Sequence, residues 1–229
     1  IVQLLVRDGY WPQEWRIHRL FPLFKAKAYF DPRNYRALNV TSNLSKVAEK
    51  LIAQSLSRFL SRTAFSPNQF AYRRDHSARD LLCLLMNTWI RLICSGKKIA
   101  FYMSDISGAF DRVCSTFLLA KLRALGLPDS ILDFLHAYLS PRSAHVVVGG
   151  SRSEDFTIED NMFQGTVLGP LLWNVFFMDV IFAARTSGGY ENLFGDDFSI
   201  FKDFDRHEDD VRIFANMEYT RRRIHEWGK

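Results

Sequence analysis

The chain has 229 residues, of which 48% are hydrophobic, 24% charged and 14% aromatic, with a formal net charge of +5. That is enough apolar material for a sizeable core, and no apolar run approaches the roughly 20 residues of a spanning helix, so a disordered chain and one crossing a membrane as a helix are both disfavoured. Three cysteines, Cys83, Cys94 and Cys114, are odd in number and lack metal-ligand spacing. They read as reduced thiols and, with no leader pattern in residues 1–8, place the protein inside the cell.

In chain order, residues 45–61 put Val47, Leu51, Leu56 and Phe59 on one helical face. Ser77 caps a helix through Cys94, with Asp80 as a capping-box acid and Gly96 as its stop. A strand, Ile99 to Met103, leads into Asp105. Residues 115–125 form a helix closed by Gly126-Leu127-Pro128, and Asp129 opens another that ends at Ser140-Pro141. Residues 144–149 and 155–159, joined by Gly150-Ser151-Arg152-Ser153, read as a hairpin. A helix runs from Pro170 to about Ala184, where an early proline costs little, and a last helix starts near Glu208.

Between those last two helices, Leu193-Phe-Gly-Asp-Asp-Phe-Ser-Ile200 sets two adjacent carboxylates between apolar arms of a tight hairpin. Neighbouring acids repel and lose hydration there unless they face water or a cation compensates them. Asp105 supplies a third carboxylate. Between them lies Phe163-Gln-Gly-Thr-Val-Leu-Gly-Pro-Leu-Leu-Trp-Asn174, a glycine-rich turn feeding an apolar helix. Basic residues gather elsewhere, at Lys25, Lys27, Arg33 and Arg36, at Arg73, Arg74 and Arg79, and at Arg221 to Arg223. Basic surfaces around an acidic centre suit a polyanionic partner.

From about Pro12 to the last residue, the order and spacing of these stretches resemble the reverse transcriptase domain of non-LTR (LINE-type) retrotransposons. The resemblance implies an α+β, right-hand polymerase fold with a ferredoxin-like palm sheet and packed helices. Residues 1–229 would be a domain fragment with fingers at about 1–97 and 114–160, palm at about 98–113 and 161–229, and the thumb absent. It implies an RNA-directed DNA polymerase that adds dNTPs to a primer 3′-hydroxyl by two-metal-ion catalysis, with Mg²⁺ as cofactor, Mn²⁺ as substitute, and RNA template and DNA primer as partners. A viral-type RNA-dependent RNA polymerase and a decayed nucleic-acid-binding scaffold are the alternatives.

By the same resemblance, Asp105, Asp196 and Asp197 are catalytic, with Asp105, Asp196 and the Ile106 carbonyl as metal ligands. Lys25 and Arg36, in Phe21-Pro-Leu-Phe-Lys-Ala-Lys27 and Arg33-Asn-Tyr-Arg-Ala-Leu38, would hold the triphosphate from two adjacent strands. Phe110 would lie beneath the sugar and block a 2′-hydroxyl, which argues for deoxynucleotides. Gln164 and Gly165 would pack against the incoming nucleotide. Gln69, Tyr72 and Arg73, in Asn68-Gln-Phe-Ala-Tyr-Arg-Arg74, would contact template. Gly195 stands where the family commonly has Ala, at a position read as strand. Phe163 replaces a usual Pro, Ala37 another, and Ala71 a usual Gly.

Overall fold

The computed structural model describes residues 1–106, 108–159 and 162–228. Ser107, within the stretch after Asp105, lies outside the described residues. In chain order the elements are α1 (Val2–Arg7), β1 (Ile17–Phe24), β2 (Tyr35–Val40), α2 (Asn43–Thr63), α3 (Ala78–Cys94), β3 (Lys98–Ser104), α4 (Ser115–Ala124), α5 (Asp129–Leu139), β4 (Arg142–Val148), β5 (Ser151–Arg152), β6 (Phe156–Ile158), α6 (Gly169–Phe177), α7 (Val180–Arg185), β7 (Tyr190–Phe194), β8 (Asp197–Phe204) and α8 (Asp210–Trp227). The content is mixed α and β, and the chain divides into two compact units, each made of two stretches.

The first unit joins Ile1–Ala64 to Gly108–Phe176. Its five-stranded sheet is mixed: β1 pairs antiparallel with β2 and parallel with β4, and β4 pairs antiparallel with β5 and β6. The hairpin predicted after residue 144 is present but turns earlier, at Gly149-Gly150. Both glycines have positive φ, 56° and 84°, as a two-residue type I′ turn requires. Trp11, Phe134 and Tyr138 are fully buried, and Trp11 meets the other two rings edge to face, Tyr138 at 5.0 Å between ring centroids.

Helix α2 covers the predicted span, but its buried face is Ser45, Ala48, Glu49, Ile52, Leu56 and Leu60. Val47 and Leu51 are 59% and 49% exposed, so the helix is turned by about one residue, roughly 100°, from the expected apolar stripe. Its orientation follows a polar demand. Arg142, 1% exposed, donates from Nη1 to His18 Nε2 (2.8 Å) and from Nη2 to the Tyr138 carbonyl (2.6 Å). Its guanidinium also stacks over Phe163 at 4.2 Å and Tyr138 at 4.6 Å. Glu49, fully buried, accepts the Tyr138 hydroxyl at 3.1 Å and stands in the field of Arg142.

The second unit joins Phe65–Ser107 to Phe177–Lys229. Its sheet is antiparallel in the order β3-β8-β7, with the central strand β8 buried on both faces from Phe198 to Lys202. Phe70, Leu81, Leu85 and Phe201 form its core, with Trp89, Leu92 and Ile99 packed around them. The predicted cap of α3 is present: Ser77 Oγ accepts the Asp80 amide at 3.3 Å and donates to the Asp80 carboxylate at 2.6 Å. The single helix predicted from Pro170 to about Ala184 is instead two, α6 and α7, separated at Met178-Asp179. The Asp179 carboxylate, at the start of α7, accepts the Trp227 indole N–H at 3.0 Å.

Arg142 can only donate, so His18 Nε2 accepts its hydrogen bond, while His18 Nδ1 lies 2.7 Å from Asn39 Nδ2. Burial first, and Arg142 second, hold this imidazole neutral, with its pKa lowered to about 3. The unfolded chain, whose His18 titrates near 6.5, therefore binds more protons than the folded one between those values. Stability is expected to fall as pH drops below 6.5, by up to about 1.4 kcal/mol per pH unit from this group. Urea denaturation followed by tryptophan fluorescence at pH 7, 6, 5 and 4 should give a smaller pH dependence for His18→Gln than for the native protein.

Candidate active site

The paired carboxylates sit on a two-residue turn. Phe194 pairs with Asp197 across β7 and β8, leaving Gly195 and Asp196 as the loop. Gly195 has φ of +67° and Asp196 has no positive φ, the pattern of a type II′ hairpin with glycine at its first central position. This corrects the reading of Gly195 as a strand position. The turn needs a residue that adopts a left-handed φ, and glycine does so without steric cost.

Strand β3 pairs with β8 up to Ser104↔Phe198, so one further step brings Asp105 level with Asp197. Asp105 and Asp197 are exposed and Asp196 is half-buried. The Asp197 carboxyl is pushed up, first by local desolvation and then by the charges of Asp196 and Asp105. Three acids thus share one field, and a cation would relieve it. Among the described residues no three His, Cys, Asp or Glu side chains are drawn close enough to hold an ion among themselves. The donors nevertheless fit Mg²⁺, a hard ion that binds one or two carboxylates and completes its shell with water and substrate phosphate. Ile106, whose carbonyl is a further hard oxygen, directly follows Asp105.

Of the three residues expected at template, two are occupied within the protein. Gln69 is 4% exposed and its side chain bonds the backbone of Gly195 and Ala71. Arg73 Nη1 donates to the carbonyls of Ser66 (2.6 Å) and Gln69 (3.1 Å), which ties the loop to itself. Tyr72 alone is half exposed, at φ +57°, with its phenol pKa raised by burial, Asp196 and Asp197. A non-glycine residue in that region is strained, which is common beside functional groups.

The residues expected at nucleotide lie in the first unit. Arg36 faces Leu23 in the β1–β2 register, and the Lys25 amide extends the ladder by donating to the Asn34 carbonyl at 2.9 Å. That puts Lys25 and Arg36, both exposed, one diagonal step apart on the face opposite buried His18 and Asn39. Phe110, half-buried in a short 3-10 turn, stacks on Trp173 at 5.5 Å and 21°. Gln164 and Gly165 are exposed on the turn before α6.

That turn is held by groups the sequence did not flag. Glu49 Oε2 accepts the amides of Val167 (2.7 Å) and Leu168 (3.0 Å), at the start of α6 where the helix dipole favours negative charge. Burial pushes the Glu49 carboxyl up, while these two amides, Tyr138 and Arg142 act against that shift. The one available signal was a glutamate four residues after Ser45 and three before Ile52, on the stripe that the structure buries.

A sequence profile of the reverse transcriptase (RNA-dependent DNA polymerase) family matches residues 25–228. The chain is 30% identical to the probable RNA-directed DNA polymerase from transposon BS of Drosophila melanogaster, covering 79% of this chain and 20% of that protein. It is also 30% identical to the RNA-directed DNA polymerase from mobile element jockey of the same species, over 75% of this chain and 19% of the relative. With the Pol polyprotein of the type-1 retrotransposable element R1 of Bradysia coprophila it shares 26% identity over 97% of this chain and 22% of that protein. The chain spans about a fifth of the length of these curated relatives.

A Cβ on Gly165, whose φ is +86°, would lie 2.6 Å from the Asn39 carbonyl oxygen of β2. Gly165→Ala is therefore expected to destabilise the protein by about 2 kcal/mol, through left-handed strain and the displaced strand backbone. Exposed Gln164→Ala should stay within about 0.5 kcal/mol of the parent. Denaturant midpoints of the two variants, measured side by side, check both values.

Proposed function

Since this chain belongs to the reverse transcriptase (RNA-dependent DNA polymerase) family, we propose that it is the catalytic part of a non-LTR retroelement enzyme that extends a DNA primer on an RNA template with dNTPs. The observation that carries the reading is the shared field of Asp105, Asp196 and Asp197 beside the β7–β8 turn. In this reading residues of about 1–97 and 114–160 act as fingers, and those of about 98–113 and 161–229 as palm. The protein works inside the cell, and none of the helices among the described residues is long and apolar enough to cross a membrane.

Asp105, Asp196 and the Ile106 carbonyl would hold Mg²⁺, or Mn²⁺ in its place, with Asp197 completing the acidic set. When bound, such ions lower the pKa of the attacking hydroxyl and stabilise charge on the leaving pyrophosphate. Arg36 offers the triphosphate a bidentate fork and Lys25 a compact charge, both on one exposed hairpin face. Gln164 and Gly165 bring backbone close to the nucleotide, on a turn that Glu49 keeps from shifting. Phe110, braced by Trp173, presents a ring that cannot yield to a 2′-hydroxyl. Tyr72 offers a stacking surface to a template base, while Gln69 and Arg73 serve that contact through the loop they hold.

Asp196→Asn is expected to lower primer extension by more than about 100-fold, beyond the loss typical of removing a partner that merely supports a metal ligand. Extension of a labelled DNA primer on RNA with Mg²⁺ and dNTPs measures it, and an active Asp196→Asn protein would overturn the assignment. In the same assay, Phe110→Ala is expected to raise rNTP incorporation relative to dNTP by about tenfold or more. An unchanged ratio would remove Phe110 as the sugar gate, and preferred rNTP use by the native protein would identify an RNA polymerase instead.

A further inference from the structure

The loop before α3 reaches the β7–β8 hairpin as an added edge. The Phe70 amide donates to the Leu193 carbonyl at 3.0 Å, and the Leu193 amide donates to the Asn68 carbonyl at 2.9 Å. Between them Gln69 points at the turn. Its Oε1 accepts the amides of Gly195 (3.2 Å) and Ala71 (3.0 Å), and its Nε2 donates to the Gly195 carbonyl at 3.4 Å. One buried side chain therefore grips the amide and the carbonyl of the same glycine. That carbonyl belongs to the peptide plane that also carries the Asp196 nitrogen and Cα, so holding it sets the point from which the Asp196 side chain starts.

The grip matters because of what it holds. Gly195, at φ +67°, is the residue of the hairpin with the greatest conformational freedom, and a two-residue turn alone leaves that plane free to rotate. The loop is in turn fixed where it stands: Arg73 bonds the Ser66 and Gln69 carbonyls, the Asn68 amide donates to Ser66 Oγ at 3.1 Å, and the Asn68 side chain donates to Glu191 at 3.3 Å. We infer that Gln69 is a positioning residue of the reaction, which locks the Gly195-Asp196 peptide so that Asp196 keeps one orientation, and that it does not contact template. The inference rests on the reading of Asp196 as catalytic.

Two variants test it. Gln69→Leu removes every bond to the turn at similar size, whereas Gln69→Glu keeps the acceptor for both amides. In primer extension, Gln69→Leu is expected to lower kcat about 100-fold, the scale of a misplacement of about 1 Å, with primer–template Kd held within about threefold. Gln69→Glu, which keeps both amide bonds but cannot donate to the Gly195 carbonyl, should slow Gly195 amide exchange relative to Gln69→Leu without restoring kcat. Hydrogen exchange of the Gly195 amide, read by NMR without substrate, should quicken at least about tenfold in Gln69→Leu while amides of α3 and β8 keep their protection. Weakened primer–template binding with kcat intact would overturn the inference in favour of a template contact. Unchanged exchange at Gly195, or loss of protection across all of residues 65–106 and 177–228, would overturn it as well. If Asp196→Asn leaves extension intact, the catalytic reading fails by itself, and the Gly195 exchange rate still decides whether Gln69 fixes the turn.

Discussion

Arg142 carries its charge at a place water does not reach, and much of the first unit is arranged to answer it. A buried guanidinium without partners costs several kcal/mol, so the fold surrounds it with acceptors and ring faces. The His18 ring nitrogen and the Tyr138 carbonyl take its protons, the Phe163 and Tyr138 rings cover its plane, and the Glu49 carboxylate lies in its field. The same set joins β1, β2, α2, α5 and β4 to the turn that bears Gln164 and Gly165. Breaking one of these bonds leaves a buried charged or polar group short of a partner, so the position of that turn is coupled to the network.

The second unit uses the opposite arrangement. Its acids are gathered where water and cations reach them, and the surrounding structure constrains the backbone instead of the carboxylates. Strand β8 is buried along most of its length, and its exposed first residue and the turn before it carry the Asp pair. A rigid strand ending in exposed acids leaves little freedom for their backbone while keeping hydration available to each side chain. The two units thus meet the same electrostatic problem differently, one by enclosing a charge among partners and the other by setting charges at the end of a buried support.

What could be read in the sequence was whatever depends on neighbours along the chain. Ser77 and Asp80 are three residues apart, so their cap was visible, and so was a hairpin between Leu193 and Ile200 with an Asp pair at its tip. The inward face of α2 was only partly legible: Leu56 of the expected stripe is buried, but Val47 and Leu51 look as good as Ala48 and Ile52 until Glu49 is known to have buried partners more than 80 residues away. Gly195 looked like a strand residue because its backbone φ leaves no mark on the sequence. The internal bonds of Gln69 and Arg73 were not legible either, since a side chain that bonds main chain and one that bonds a nucleic acid are the same letters. The bond of Asp179 to Trp227, 48 residues on, is likewise announced by no local pattern.

The parallel pairing of β1 with β4 has a consequence for how the protein is made. His18 and Arg142 are 124 residues apart, and no shorter route supplies the strand that covers this side of β1. At ribosomal rates of about 5–20 residues per second, the β1–β2 hairpin emerges roughly 5–20 s before β4. During that interval His18 stands without its arginine and one strand edge is open to other chains. The charged flank of the hairpin, with Arg19, Lys25 and Arg36, gives the nascent polypeptide a local positive field that disfavours pairing with a second copy of itself.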